Sequence, residues 1–428
     1  MTKRIFTVLA MMALAVAQSL PAQDVVTEEL ISLTGPTKVT CDDDGNTKSG
    51  KAGHSWAWGD DVMLKVGAGI RASYRAMEGA NQGPRTGSMR QDFNVDNARI
   101  YMSGQGHDRI GFEFNTDINN AQGFDFADSL VGNGFGSAES GEMRILDAIL
   151  KFKLGCNHHF WIGRFLPPSD RANLSGPFYQ NAWTFPWVQF GYANIFQGRD
   201  DGAALWGQYD DGRLKWAVGV FEGESDGGLF AIGHPATDNL MFTARVVLNL
   251  LDPEPGYYNA STYYGEKDIL AIGASVMNRH DALSDGAGGE SDYTSWNLDL
   301  LFETVMASGG VATFESAYYN TTDNGGTGPS GTVTNPVTGG SRAGESYFLL
   351  GSYLLARNSC VLGYEGKWQG MARFQHYSHD DIGDIEQYDL QMNYIMKGHN
   401  ARTSAVFSEL DNGQSKSYAF TLGGQLQF

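Results

Sequence analysis

The chain runs to 428 residues, of which 42% are apolar, 12% aromatic and 18% charged, and its formal net charge is −19. That acidity disfavours a nucleic-acid partner, which is bound through basic surfaces that neutralise phosphates. Three cysteines, Cys41, Cys156 and Cys360, are too few for a disulfide scaffold, and in an exported chain they allow one bridge at most.

Met1–Ala22 opens with Lys3 and Arg4, continues with the apolar stretch Ile5–Val16 and closes on small residues. An apolar core of about 12 residues fits a secretory signal peptide and falls short of the roughly 20 that a membrane helix needs. We therefore expect residues 1–22 to be removed, taking two positive charges and no acid with them. Residues 23–60 read as a short periplasmic segment, and residues 61–428 as the folded body. Nothing in that body is apolar for long enough to span a bilayer as a helix, so membrane insertion requires strands.

The body alternates. Met63–Arg75 places Leu64, Val66, Ala68, Ile70, Ala72 and Tyr74 on one face, and Lys65, Gly67, Gly69, Arg71, Ser73 and Arg75 on the other. That period of two marks a strand with one apolar and one polar side. The same pattern predicts a hairpin over 97–103 and 109–115. Further strands follow near 144–154, 159–165, 202–209, 213–223, 239–250, 268–278, 292–304, 310–319, 345–355, 367–379, 386–397, 400–410 and 415–428. The total is about sixteen, an even number, as in outer-membrane barrels.

In the last strand Tyr418, Phe420, Leu422, Leu426 and Phe428 share a face. A final strand that runs to a terminal aromatic suits the closing strand of a β-barrel, because a membrane tolerates no open sheet edge. A soluble sandwich would make both inner faces apolar. Here the second face carries Lys, Arg, Asp, Glu, Asn, Gln and Gly at most positions, which suits a watery lumen.

Connections alternate between short and long, the pattern of periplasmic turns and outer loops. Leu251–Lys267 and Ala356–Gly366 break it, being long where short turns are due. The longest connection, Leu166–Asp201, follows the fifth strand and contains Phe178, Tyr179, Trp183, Phe185, Trp187, Phe190, Tyr192 and Phe196. So heavy an aromatic load argues against disorder, and an ordered loop of this length is commonly functional. We expect it to fold inward and narrow a pore.

On these segments the chain resembles the phosphate-selective porin O and P family. The resemblance is carried by GDDVMLKVGAGIRASYR (Gly59–Arg75), DAILKFKL and HHFWIGRFLPP (within Asp147–Pro168), GRDDGAALWGQY (Gly198–Tyr209) and the closing GGQLQF (Gly423–Phe428). It implies a sixteen-stranded, trimeric channel of the bacterial outer membrane, whose third loop forms a constriction lined by arginines and lysines that pass anions. Its partners would be membrane lipid and small solutes, phosphate among them, with no cofactor and no enzymatic activity.

Read from the alternation itself, the inward bases are Lys65, Arg71, Arg75, Arg99, Arg109, Lys151, Lys153, Lys215 and Arg245, beside Glu113, Asp117 and Asp147. The third loop adds Arg171 and Arg199, next to Asp170, Asp200 and Asp201. Later strands look more acidic, with Asp299, Glu303, Glu315 and Asp389. Rings of bases favour anions and rings of acids favour cations. The expected function is passive diffusion of small hydrophilic solutes with an anion bias, which neutralising Arg171 and Arg199 together should weaken.

Two other classes stay open. A non-conducting structural or adhesive barrel would show more apolar inward residues. An outer-membrane hydrolase finds the right residue types in His376, Ser378 and Asp380, although no nucleophile motif accompanies them. Cys156 and Cys360 fall in even-numbered connections, on the periplasmic side with Cys41, where one bridge would tie the N-terminal segment to a turn.

Overall fold

The computed structural model describes residues 40–41, 47–48, 54–58, 62–78, 89–118, 142–186, 198–223, 239–284, 290–322, 344–379, 383–413 and 416–428. Among them run sixteen long strands: β1 (Val62–Glu78), β2 (Met89–His107), β3 (Ile110–Ile118), β4 (Met143–Lys153), β5 (His158–Phe165), β6 (Asp200–Tyr209), β7 (Leu214–Phe221), β8 (Met241–Asn249), β9 (Ile269–Ser284), β10 (Glu290–Val305), β11 (Val311–Thr322), β12 (Gly344–Val361), β13 (Tyr364–His379), β14 (Gly383–Lys397), β15 (Ala401–Asp411) and β16 (Lys416–Gln427). Each pairs antiparallel with the next, and β16 returns to β1, from Tyr418 opposite Glu78 to Gln427 opposite Gly69. The sheet is thereby a closed barrel.

Phe428 extends the seam, since its backbone and that of Ala68 exchange hydrogen bonds of 3.1 and 2.9 Å. Beyond it the short strand His54–Trp58 pairs with Val62–Val66. β1 is thus paired along nearly all of this edge, which leaves little template for strand addition.

Exposure follows the pleat. In β8, Phe242, Val246 and Leu248 point outward while Met241 and Val247 are buried. Around the tube Ile70, Ile100, Leu150, Leu298 and Leu422 are each about half exposed on the outside. A contiguous apolar exterior on this scale requires a lipid or protein cover. Among the described residues no helix is long and apolar enough to cross a membrane.

Ala356–Gly366, expected as a long turn, is strand instead. β12 and β13 continue past a register shift between Leu354 and Asn358 and meet at Leu362 and Gly363, whose φ values of 52° and 88° suit a tight hairpin turn. The bulge interrupts the alternation, which is why a period-two reading stops there. The inward face is also less uniformly polar than expected. On β12 to β15 it includes Phe348, Leu350, Met371, Ile385 and Leu410, all buried.

Candidate functional site

Among the described residues two connections enter the lumen, from opposite ends. The first is the connection between β5 and β6, which folds inward as expected. Asp170 caps the short helix α1 (Arg171–Ser175), accepting from the Ala172 N–H at 3.0 Å and from the Tyr319 hydroxyl of β11 at 2.7 Å. Burial pushes the Asp170 carboxyl up to about 6, against the opposing effect of that tyrosine bond.

The loop then reaches the far wall. Arg402 of β15 donates to the carbonyls of Gln180, Asn181 and Ala182 at 2.7, 3.1 and 3.4 Å. Arg71 of β1 donates to the Trp183 carbonyl, and Arg373 of β13 to the Thr184 carbonyl at 2.8 Å. Phe178 and Trp183 are fully buried against Gly69 and Gly423, where any Cβ would run into the aromatic rings. Two glycines in β1 and β16 therefore make room for the loop. Trp187, Phe190, Tyr192 and Phe196, named above for the same inward fold, lie outside the described residues.

The second is the connection between β8 and β9, whose length was anomalous for a turn. Backbone bonds of 2.8 Å from Leu250 to Leu270 and from Asp252 to Asp268 keep the two strands together, and the segment between them packs inside the barrel. Arg171 grips Glu254 with both terminal nitrogens, at 2.8 and 2.5 Å, and also donates to the Ala260 carbonyl at 2.8 Å. Both charged groups are at most 1% exposed. Burial alone would raise the Glu254 carboxyl, but the Arg171 charge and hydrogen bonds reverse this and hold it at about 2.

Other contacts fix the same segment to the wall. Glu303 of β10 accepts from the Thr262 hydroxyl at 2.7 Å and from the Tyr263 and Gly265 N–H groups at 2.9 and 3.0 Å. Ser261 donates to Glu315 of β11, and Tyr257 donates to the Leu166 carbonyl at 2.8 Å. The Tyr257 ring lies 4.8 Å from that of Trp161 and 5.8 Å from that of Trp206. We call Pro253–Lys267 the inlay.

The bases picked out by alternation fall into two groups. Arg71, Arg99, Arg199, Lys215, Arg245 and Arg171 are almost wholly buried. Arg99 bonds Asp117 at 2.5 Å, Arg199 bonds Asp147 at 3.0 Å, and Arg245 makes a fork to Asp299 at 2.5 and 3.0 Å. Among the described residues the Lys215 ammonium has no hydrogen-bond partner, and it lines a cavity of about 20 Å³ with Trp206, Arg245 and Asn259.

The second group keeps contact with solvent. Lys65 and Lys153 are partly exposed, Arg109 is exposed at the β2–β3 turn, and Arg75 bonds Asp96 at 2.7 Å. Lys151 retains 26% side-chain exposure beside Glu113 at 20%, and its ammonium lies 4.2 Å from the centre of the Trp161 ring.

The acids of the later strands have a structural explanation. Asp299 holds Arg245, Glu303 and Glu315 hold the inlay, and Asp389 accepts from Arg373 at 2.8 Å and Gln387 at 2.7 Å. The alternation reading passed over Arg373 and Arg402, although parity carried through β13 and β15 would have turned both inward.

Of the hydrolase residues, Ser378 donates to Asp384 at 2.8 Å, His376 faces Glu386 at 3.8 Å, and Asp380 lies outside the described residues. Cys156 and Cys360 share one end of the barrel, while the Cys41 side chain lies outside the described residues. Among the described residues, His280, Asp281 and Asp292 offer metal-ligand chemistry on an exposed rim; His280 Nδ1 sits 2.5 Å from Asp292.

No protein-family model and no curated protein matches the chain. Solved structures do. The anion-selective porin from Comamonas acidovorans matches with a TM-score of 0.52 at 11% identity, over 86% of this chain and 100% of that one. OprB of Pseudomonas putida matches with a TM-score of 0.52 at 10% identity, over 85% of this chain and 94% of that one. The chain therefore has the closed sixteen-strand barrel fold of porins, the architecture of proteins that cross the bacterial outer membrane.

Proposed function

We propose that this protein is a passive diffusion channel for small hydrophilic solutes in the bacterial outer membrane, biased toward small anions, phosphate included, and assembled as a homotrimer. The observation that carries the bias is the unequal burial of the inward charges. Arg171 and Arg199 are buried against carboxylates, so selection rests instead on Lys65, Lys151 and Lys153, which keep contact with solvent on β1 and β4, with Glu113 of β3 ion-paired to Lys151. Lysines along a narrow aqueous path attract anions, and charges within about 8 Å of it act with little screening at physiological salt. The porin from Comamonas acidovorans that shares this fold is described as anion-selective, which agrees with the reading.

The test is a reversal potential across a salt gradient. Lys151→Gln with Lys153→Gln should move it toward the cation side. An unchanged value would remove these lysines from the filter.

A closed structural barrel is the second reading, and it draws on the buried apolar inward residues of β12 to β15. Membranes that stay electrically silent with the folded protein present would favour it.

A further inference from the structure

We propose that the inlay is a second, immobile constriction element, which confines solutes to the β1–β4 side of the lumen and sets their size limit jointly with the third loop. The inference rests on the channel reading and adds to it where the path runs and what bounds it.

Immobility follows from what the inlay covers. A wall that faces water should be polar, yet β5 to β7 turn Trp161, Phe165, Trp206 and Phe221 into the barrel, each at most 6% exposed. The inlay packs Tyr257 against this surface. Withdrawing it would hydrate those rings, strip Arg171 of Glu254, and remove from Glu303 and Glu315 the donors that the inlay supplies, and a buried charge that loses its partner is costly. A gate needs two states of similar free energy; this segment is held in its docked state by Arg171, Glu303, Glu315 and the aromatic wall.

Confinement follows from which wall stays wet. Inward residues of β8 to β11, among them Arg245, Met277, Asp299, Glu303 and Glu315, are buried. On β1 to β4, Arg71, Arg99, Asp117 and Asp147 are buried too, but Lys65, Ser103, Glu113, Lys151 and Lys153, nearer the β2–β3 and β4–β5 turns, keep partial exposure. The third loop and the inlay are joined at Arg171–Glu254 and by the 3.1 Å bond from the Ser261 N–H to the Tyr179 carbonyl. They act as one partition across the tube.

The experiment replaces Pro253–Lys267 with an Asn-Gly turn, because Asp252 and Asp268 already face each other across a backbone bond and that dipeptide closes tight hairpins. With folding checked by heat-modifiable gel mobility, single-channel conductance in potassium chloride should rise by roughly twofold or more as the cross-section opens. Equal conductance overturns the proposal.

Since the exposed aromatic wall could impair folding of that variant, a second test keeps the chain length. In a background with the native cysteines changed to serine, Thr262→Cys should resist a water-soluble maleimide in the open channel. Labelling as fast as a cysteine placed in an outer loop overturns immobility. A wild-type protein that fails to conduct would instead defeat the channel reading, and the maleimide result would still be decided by the docking alone.

Discussion

The Arg171–Glu254 pair offers the sharpest energetic prediction. Both groups are essentially out of solvent, and the carboxylate also accepts from the Tyr263 hydroxyl at 2.6 Å. Glu254→Gln keeps the shape but turns one of the two acceptor oxygens into a donor that faces the Arg171 and Tyr263 donors, and it leaves the guanidinium uncompensated. Breaking one side of a buried pair costs about 3–5 kcal/mol. Replacing both partners with apolar groups, Arg171→Met with Glu254→Leu, should cost much less than the sum of the two single changes, because no charge is stranded.

Urea unfolding of the folded protein in liposomes, followed by tryptophan fluorescence, measures all four members of the cycle. The sign of the pH dependence is fixed as well. The Glu254 carboxyl is held at about 2, below its ordinary 4.5, so its contribution is fully present above the ordinary value and is lost as pH falls toward 2. Between pH 5 and 8 this pair should therefore contribute no slope. A loss below about 1 kcal/mol for Glu254→Gln, or strict additivity in the double variant, would refute the reasoning.

Asp170 should behave in the opposite sense. Its folded value near 6 lies above the ordinary 3.8, so its contribution is fully present below the ordinary value and is lost as pH rises through about 6. Asp170→Asn, equally good as a helix cap, should flatten that part of the stability profile; an unchanged profile would contradict the assignment. Gly423→Val should expel the Trp183 ring from its seat and cost about 1–3 kcal/mol, the range for overpacking, with a red shift of tryptophan emission as the check. Tyr257→Ala should destabilise by about 3 kcal/mol or more through loss of buried aromatic area, measured in the same urea assay.

Much of the fold was readable because strand period leaves a mark on every second residue. In β8 the sequence Met-Phe-Thr-Ala-Arg-Val-Val-Leu-Asn states its own orientation, and the burial pattern repeats it residue by residue. The reading failed at β12 and β13, where a bulge breaks the phase. The third loop announced itself through its aromatics, since Phe178 and Trp183 needed a dry place. The inlay showed only as excess length, because its partners are distant in sequence: Glu254 meets a guanidinium 83 residues away. Alternation tells which face a charge occupies, and it is silent on whether a second segment arrives to neutralise it. That is why Arg171 and Arg199 looked like pore residues from the sequence and are buried pairs in the fold, while Lys151 and Lys153 looked no different from the rest.

The central claim is that an aqueous path persists beside the partition formed by the third loop and the inlay. Single-channel recording of the purified, refolded chain in a planar bilayer tests it most directly. The account predicts stepwise conductance increments with a reversal potential on the anion side in a potassium chloride gradient. Silent membranes, in the presence of protein shown to be folded and inserted, would contradict it.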